Sequence, residues 1–474
     1  MPLSSLNPYL THNFAPTQEE TYFPKLEVVG QIPQELSGWY IRNGPNPQFP
    51  QKSPYHWFDG DGMLHSLKIA NQKASYRNRY IRTLAFEKER EAGQALWTGL
   101  LSLPQKDNPY GWGKNSANTS LVYHHGKLLA LWEGGLPHQI DPYSLKTLGE
   151  YDFEHRLTSA FTAHPKIDPL TGEMMFFSYS LPSSPHLYYS IVSSQGKLLR
   201  TVPIDLPIGV MMHDFAITEN YTIFMDLPLT FDAAKMYQGK LPLGFDSSRP
   251  SRFGILPRHG DHTNIRWFSA DPCYVLHCVN AYEDGAEIVL TACRMPAINL
   301  LFFSEMGEQV REEKAVLYQW KFNLATGNVQ EEMLSEMVID FPRLNEQYLG
   351  RRQRFAYAAK RADKNEFEKR RFLFDGLIKY DFQNGEVQTY SLGEQRYGGE
   401  AVFVPRSNES GEDEGWLLTL VYDEASESSE LLILDASDLT KDAIAKIRIP
   451  FRIPFGFHGI WLSRSHLLKH SEAE

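Results

Sequence analysis

Cysteine is scarce: Cys273, Cys278 and Cys293 are the only three in 474 residues, and no two form a C-x-x-C pair. That excludes a disulfide framework or a cysteine–zinc site as the organising element, and it suits a reducing compartment. Positive charge is also short. Lys+Arg total 47 against 58 Asp+Glu, a formal net charge of −11, so the basic surface that phosphate backbones require is missing and no nucleic-acid partner is expected. No run of eighteen apolar residues occurs, which excludes a bilayer-spanning helix. The first thirty residues carry Glu19 and Glu20 and show neither a basic segment followed by an apolar one nor an Arg/Ser-rich leader. These absences predict a cytoplasmic protein, touching membranes at most peripherally.

What is present points to a large β protein. Hydrophobic residues make up 42% and charged residues 22%, enough for a sizeable core and too apolar for general disorder. Short apolar or alternating runs such as Lys127–Trp132, Tyr221–Met225, Glu287–Cys293, Trp416–Tyr422 and Leu431–Leu434 have strand length and composition. Hairpin signals punctuate them: Asp168–Gly172, Gln195-Gly196, Ala325–Gly327 and Gln383–Gly385. Helical signals are few. Thr83–Leu103 opens with a capping threonine and good helix formers, with Gly93 and Gly99 expected to break or bend it, and the charged stretch Asn345–Lys369 reads as a surface loop or short helix. No linker divides the chain, so residues 1–474 are expected to form one all-β body, a β-propeller or a large sandwich. The 13% aromatic content fits either a β-rich core or an apolar tunnel for a conjugated or ring-bearing substrate.

Most of the sixteen histidines need no special explanation, but four stand in distinctive contexts. His164 lies in Ala-His-Pro-Lys, His213 in Met-Met-His-Asp-Phe, His277 in a strand-like run, and His458 in Gly-Phe-His-Gly-Ile. Their separations are 49, 64 and 181 residues, the last about three times 60. A propeller with long inserts would repeat at about that pitch, above the usual ~40–45, and equivalent inner positions would converge on the axis. Four imidazoles converging there would make a metal site, for which Fe(II) is one candidate. Because imidazole is neutral, such a site calls for carboxylates that accept the distal ring N–H and fix the tautomer. Glu133, Glu346 and Glu400 stand in contexts where a purely solvating glutamate is less expected. His259 and His262, close in sequence, are expected to play no part.

Several motifs together resemble the carotenoid cleavage oxygenases. Arg42-Asn-Gly-Pro-Asn-Pro47 and His56-Trp-Phe-Asp-Gly-Asp-Gly-Met63 are similar to that family's N-terminal signature. Further matches run through Lys114–Thr119, Leu131–Gly135, Thr162–Lys166, Met212–Phe215, His277–Tyr282, Gly399–Val404 and Phe457–Gly459, in family order from about residue 20 to 465. The resemblance implies a seven-bladed β-propeller capped by a dome of loops and short helices, with a non-haem Fe(II) ion on the axis. By position it assigns the metal to His164, His213, His277 and His458, and the outer carboxylates to Glu133, Glu346 and Glu400. Thr119 matches a residue whose methyl group leans toward an open metal position.

The implied activity is cleavage of a carotenoid or apocarotenoid C=C bond by O2 to give aldehyde or ketone products. Other readings are a stilbene-cleaving dioxygenase of the same family and a metal-free propeller used as a binding scaffold. Stilbene-cleaving members resemble one another in a lysine just before the first outer glutamate; Trp132 stands there, which favours an apolar polyene in the substrate tunnel. Since polyenes reside in membranes, the apolar end of Thr83–Leu103 is expected to contact a bilayer through Leu96, Trp97, Leu100 and Leu101, with Phe231–Phe245 as a second candidate loop.

Overall fold

The computed structural model describes residues 7–471 except 104, 106, 304–312 and 363–371. Among the described residues the strands form antiparallel meanders that follow one another along the chain. One contains Ser120–His124, Lys127–Leu131, His138–Ile140 and Thr147–Glu150. The next contains Lys166–Ile167, Met174–Tyr179, Leu187–Val192 and Leu198–Ile204. A third is built from Ala216–Ile217, Tyr221–Asp226, Ser251–Pro257 and Arg266–Ala270. A seven-stranded sheet running from Tyr274–Asp284 to Val387–Ser391 comes next. Its long strand Val329–Arg343 belongs to two meanders: the first part pairs back to Val316–Asn323 and the end pairs forward to Phe355–Arg361. A further group runs from Val402–Pro405 through Gly415–Asp423 and Ser428–Asp435 to Ala445–Ile449.

The ring closes through the chain ends. Gly459–Ser463, near the C-terminus, pairs with Gly38–Pro45, which also pairs with Gly62–Ala70; Lys73–Tyr80 adds the next strand. Counting the split at Val329–Arg343, the described strands make seven groups besides the two-stranded ribbon of Leu229–Phe231 and Leu243–Phe245, a mostly β body as the sequence leads one to expect. Closing a sheet assembly into a ring removes the exposed edge between the first and last elements. The Arg42–Pro47 signature lies at this closure. Asn43 Nδ2 donates to the Ala117 and Ser120 carbonyls at 2.7 and 3.2 Å, tying the closing group to the next one. A Cβ on Gly62 would lie 2.7 Å from the Ser116 carbonyl, so only glycine permits that approach.

The helical expectation holds only in part. Thr83 Oγ1 accepts from Phe86 N and starts the helix Leu84–Ala92, which Gly93 ends with φ +65. Residues 95–103 are not helical. Their backbone is held from behind instead: Leu96 N donates to Glu89 Oε1, and Leu100 N to Asp59 Oδ1. Glu89 is itself paired with Lys114, which also meets Asp61, both at 2.7 Å. Trp97 is 3% exposed and donates its indole N–H to the Gly111 carbonyl at 3.0 Å, so it is a packing residue and not a membrane anchor. Within Asn345–Lys369, the described part holds a 3-10 turn at Glu346–Tyr348 and then the strand Phe355–Arg361, where a loop or short helix was expected.

Candidate metal centre and substrate cavity

The first strand of each group, or the residue leading into it, delivers one side chain to a common point. His164 precedes Lys166–Ile167, His213 precedes Ala216–Ile217, His277 lies in Tyr274–Asp284, and His458 precedes Gly459–Ser463. One ring nitrogen from each lies within 4.8 Å of the others. The remaining three groups contribute Thr119, ahead of Ser120–His124, Asp340, in Val329–Arg343, and Glu400, ahead of Val402–Pro405. Ring closure with equivalent inner positions thus brings together residues up to 339 apart in sequence, from Thr119 to His458.

Three of the four imidazoles are oriented by carboxylates. His213 Nδ1 donates to Glu133 Oε2 at 2.5 Å, His277 Nδ1 to Asp340 Oδ1 at 2.7 Å, and His458 Nδ1 to Glu400 Oε1 at 2.9 Å. Carboxylates only accept, so each of these rings carries its proton on Nδ1 and turns a bare Nε2 lone pair inward. His277 Nε2 is buried and has no hydrogen-bond partner, and the Nε2 atoms of His164 and His213 are 3.0 Å apart. Lone pairs so crowded repel one another unless a cation or proton lies between them. Burial and then the neighbouring imidazoles hold the His164 pKa well below the ordinary histidine range, while at His213 Glu133 outweighs burial and raises it. The donor set therefore fits a metal ion. Neutral imidazoles backed by carboxylates suit a divalent transition metal.

Each carboxylate is held differently. Glu133 Oε1 accepts from the Tyr179 hydroxyl at 2.5 Å, and Asp340 accepts from the Phe341 backbone N–H. Glu400 accepts from Gly459 N at 2.6 Å and faces the Arg343 guanidinium at 3.7 Å. Burial would raise the Glu400 pKa, yet Arg343 and His458 prevail and hold it at about 2.

Glu346 is a correction. Its side chain is 69% exposed and pairs with Arg343 at 2.8 Å, away from all four histidines; Asp340 occupies the place expected for it. The cause is local backbone geometry. The register shifts between Asp340 and Arg343, and Phe341 takes φ +51, a left-handed conformation that costs roughly 1–3 kcal/mol in a non-glycine residue. The bulge aims Asp340 inward. A sequence signal existed, since Asp340 is a lone charge in the strand-like run Val338–Phe341. His259 and His262 lie outside the cluster; His259 is 63% exposed and meets Glu173 at 3.5 Å.

A cavity of about 800 Å³ ends at this cluster. His213, His277, His458, Glu133, Asp340 and Thr119 form part of its wall, with Trp132, Phe58, Phe341 and Phe457 beside them. Its walls also include Leu100, Leu103 and Trp112, and Phe231, Met236 and Leu243. The last three belong to a small ribbon, Leu229–Phe231 against Leu243–Phe245, that carries the helix Ala233–Tyr237. The Thr119 hydroxyl donates to Asn118 Oδ1 at 3.0 Å. Aromatic side chains therefore serve both readings of the composition: some stack in the core, such as Phe161 on Phe176 at 4.1 Å, and others line the cavity.

Comparison with known proteins agrees with this geometry. Residues 14–463 match the family described as Retinal pigment epithelial membrane protein. Over 497 residues the chain is 39% identical to a carotenoid 9,10(9',10')-cleavage dioxygenase of Crocus sativus, covering 97% of this chain and 90% of that one. Among solved structures it superposes on a Pseudomonas brassicacearum lignostilbene dioxygenase with TM-score 0.88 and 31% identity, covering 96% and 98% of the two chains. It superposes on cobalt-substituted Synechocystis apocarotenoid oxygenase with TM-score 0.84 and 28% identity, over the same shares. The chain belongs to the family of the retinal pigment epithelial membrane protein and the carotenoid cleavage oxygenases.

Proposed function

We propose that this protein is an Fe(II)-dependent dioxygenase that cleaves a C=C bond of a carotenoid or apocarotenoid. The observation that carries the reading is a large cavity, walled mainly by aromatic and aliphatic side chains, that is lined by three of the four converging histidines. His164, His213, His277 and His458 would hold the iron, with Glu133, Asp340 and Glu400 fixing ring orientation. When bound, iron supplies the activation of O2 that lets both oxygen atoms be used in converting C=C into two carbonyls. The chain's own contribution is positioning and exclusion of water. Trp132, Phe341 and Phe457 offer flat apolar faces to a conjugated chain, and Thr119, with its hydroxyl turned to Asn118, leaves a methyl group for the metal's neighbourhood. The reaction needs no general acid or base from the protein.

The likeness to a lignostilbene dioxygenase favours a second reading, cleavage of a hydroxystilbene. A phenolate grip needs a free cation. Among the described residues of the cavity wall the lysine is Lys114, and Asp61 and Glu89 both already hold it at 2.7 Å. Incubating iron-loaded protein with β-carotene, an apocarotenal and a hydroxystilbene, followed by mass spectrometry of the aldehydes, decides between them. Cleavage of a polyene is expected; products from the stilbene alone would reverse the assignment, and no product from any of them would leave the scaffold reading.

Delivery of a polyene places the cavity mouth at a membrane surface. Trp112 (64% exposed) and Leu103 (38% exposed) line the cavity and face solvent, and Tyr110 is exposed beside them. Leu96, Leu100 and Leu101 are half-buried next to them, so Trp112 takes the anchoring part expected of Trp97. Replacing Leu101, Leu103 and Trp112 by polar residues should remove most liposome co-sedimentation. Turnover of liposomal carotenoid should fall far more than that of detergent-dispersed apocarotenal. Undiminished liposome binding in that variant would exclude this contact. High salt should change binding little, since burial of apolar side chains is not screened.

A further inference from the structure

Of the three carboxylates behind the histidines, Glu400 is the one with a guanidinium within ion-pair distance. Arg343 Nη1 lies 3.7 Å from Glu400 Oε1, and its Nη2 lies 2.8 Å from the exposed Glu346. Arg42 is also near Glu400, but it donates its Nη2 to the Pro454 carbonyl. Glu133 is met by a phenol and Asp340 by a backbone N–H, both neutral donors. Arg343 stands three residues after Asp340, at the end of the same strand, on the far side of the bulge. One bulge therefore aims a carboxylate at His277 and a cation at the carboxylate of His458.

We infer that Arg343 is a positioning residue that sets the reduction potential of the bound metal through Glu400 and His458. The inference rests on the metal-centre reading above. A carboxylate that accepts the distal N–H of a metal-bound imidazole pulls on that proton and makes the ring a stronger donor. Stronger donation favours the higher oxidation state. A cation behind the carboxylate lowers its basicity, leaves the proton on His458 Nδ1, and favours the lower state. The charge count points the same way. A divalent ion among neutral imidazoles faces three carboxylates, an excess of one negative charge that the Arg343 guanidinium counters beside Glu400 and that Glu346 moderates from the surface. Glu346, misplaced by the sequence as a partner of a histidine, becomes the outer tether of the chain Glu346–Arg343–Glu400–His458.

The test is a redox titration of the full chain loaded anaerobically with Fe(II), at pH 8 where Glu400 stays ionised, following the ferric EPR signal. Arg343→Met should lower the midpoint so that the Fe(III)/Fe(II) ratio at fixed potential rises about tenfold, ~59 mV for a one-electron couple. Arg343→Lys should restore most of the shift by returning the charge. Glu346→Gln, a surface change that leaves the fold intact, removes the anion that partly neutralises Arg343 and should give a smaller shift of the opposite sign, and it carries the test if Arg343→Met fails to fold. In a Glu400→Gln background the effect of Arg343→Met should largely vanish. An unchanged midpoint in Arg343→Met or, failing that, in Glu346→Gln overturns the inference, as does an undiminished shift in the Glu400→Gln background. Wild-type protein that retains no iron overturns the metal reading itself, which the iron content measured beforehand reveals separately.

Discussion

Replacing any one of His164, His213, His277 or His458 by Ala is expected to abolish metal retention and with it turnover. Each change deletes one of four donor atoms from a cluster only 4.8 Å across, and at His213, His277 and His458 it also leaves a carboxylate without its ring N–H. The loss should exceed the roughly 10–100-fold typical of changes one shell further out. The measurement is iron per chain after anaerobic Fe(II) loading and desalting, read beside circular dichroism to confirm folding. A variant that keeps a full equivalent of iron and full activity would remove its histidine from the site. His262→Ala provides the contrast: exposed and outside the cluster, it should retain iron at the wild-type level.

The second large effect separates the carboxylate the structure brings to His277 from the one the sequence suggested. Asp340→Asn should weaken iron binding or turnover about 10–100-fold without unfolding the chain. The amide keeps the size of the side chain but accepts a weaker, uncharged hydrogen bond, so it no longer fixes the Nδ1–H tautomer of His277. Glu133→Gln and Glu400→Gln should fall in the same range, since each loses the same kind of bond at 2.5 and 2.9 Å. Glu346→Gln should cost far less affinity, because its side chain lies 69% exposed on Arg343. Equal losses in Asp340→Asn and Glu346→Gln would show that the bulged strand is aimed otherwise than described.

The sequence by itself determined a strand-rich body and singled out the four histidines, because both are written in local patterns, while the choice between a propeller and a large sandwich came only with the family resemblance. Hairpin signals and buried-strand runs depend on neighbours a few residues away. Each histidine opens or occupies the first strand of its group, where the adjoining Pro, Gly or apolar residues set it apart. Glu133 and Glu400 were legible for the same reason, each lying next to glycines where a purely solvating glutamate is less expected.

What the tertiary structure decided depends on contacts between segments distant in the chain. Gly93 could be read as a helix end, but the path of residues 95–103 is set by Glu89 and Asp59, and Trp97 is buried because a carbonyl fourteen residues away, Gly111, receives its N–H. Asp340 rather than Glu346 reaches His277 because a register shift and a left-handed Phe341 rotate the strand end. The bulge lies in a strand shared by two meanders, which pairs with Val316–Asn323 on one side and Phe355–Arg361 on the other. Side-chain direction alternates with each residue along a strand, so an irregularity in register changes which way Asp340 faces, and the lone charge in Val338–Phe341 marks the residue without giving its direction.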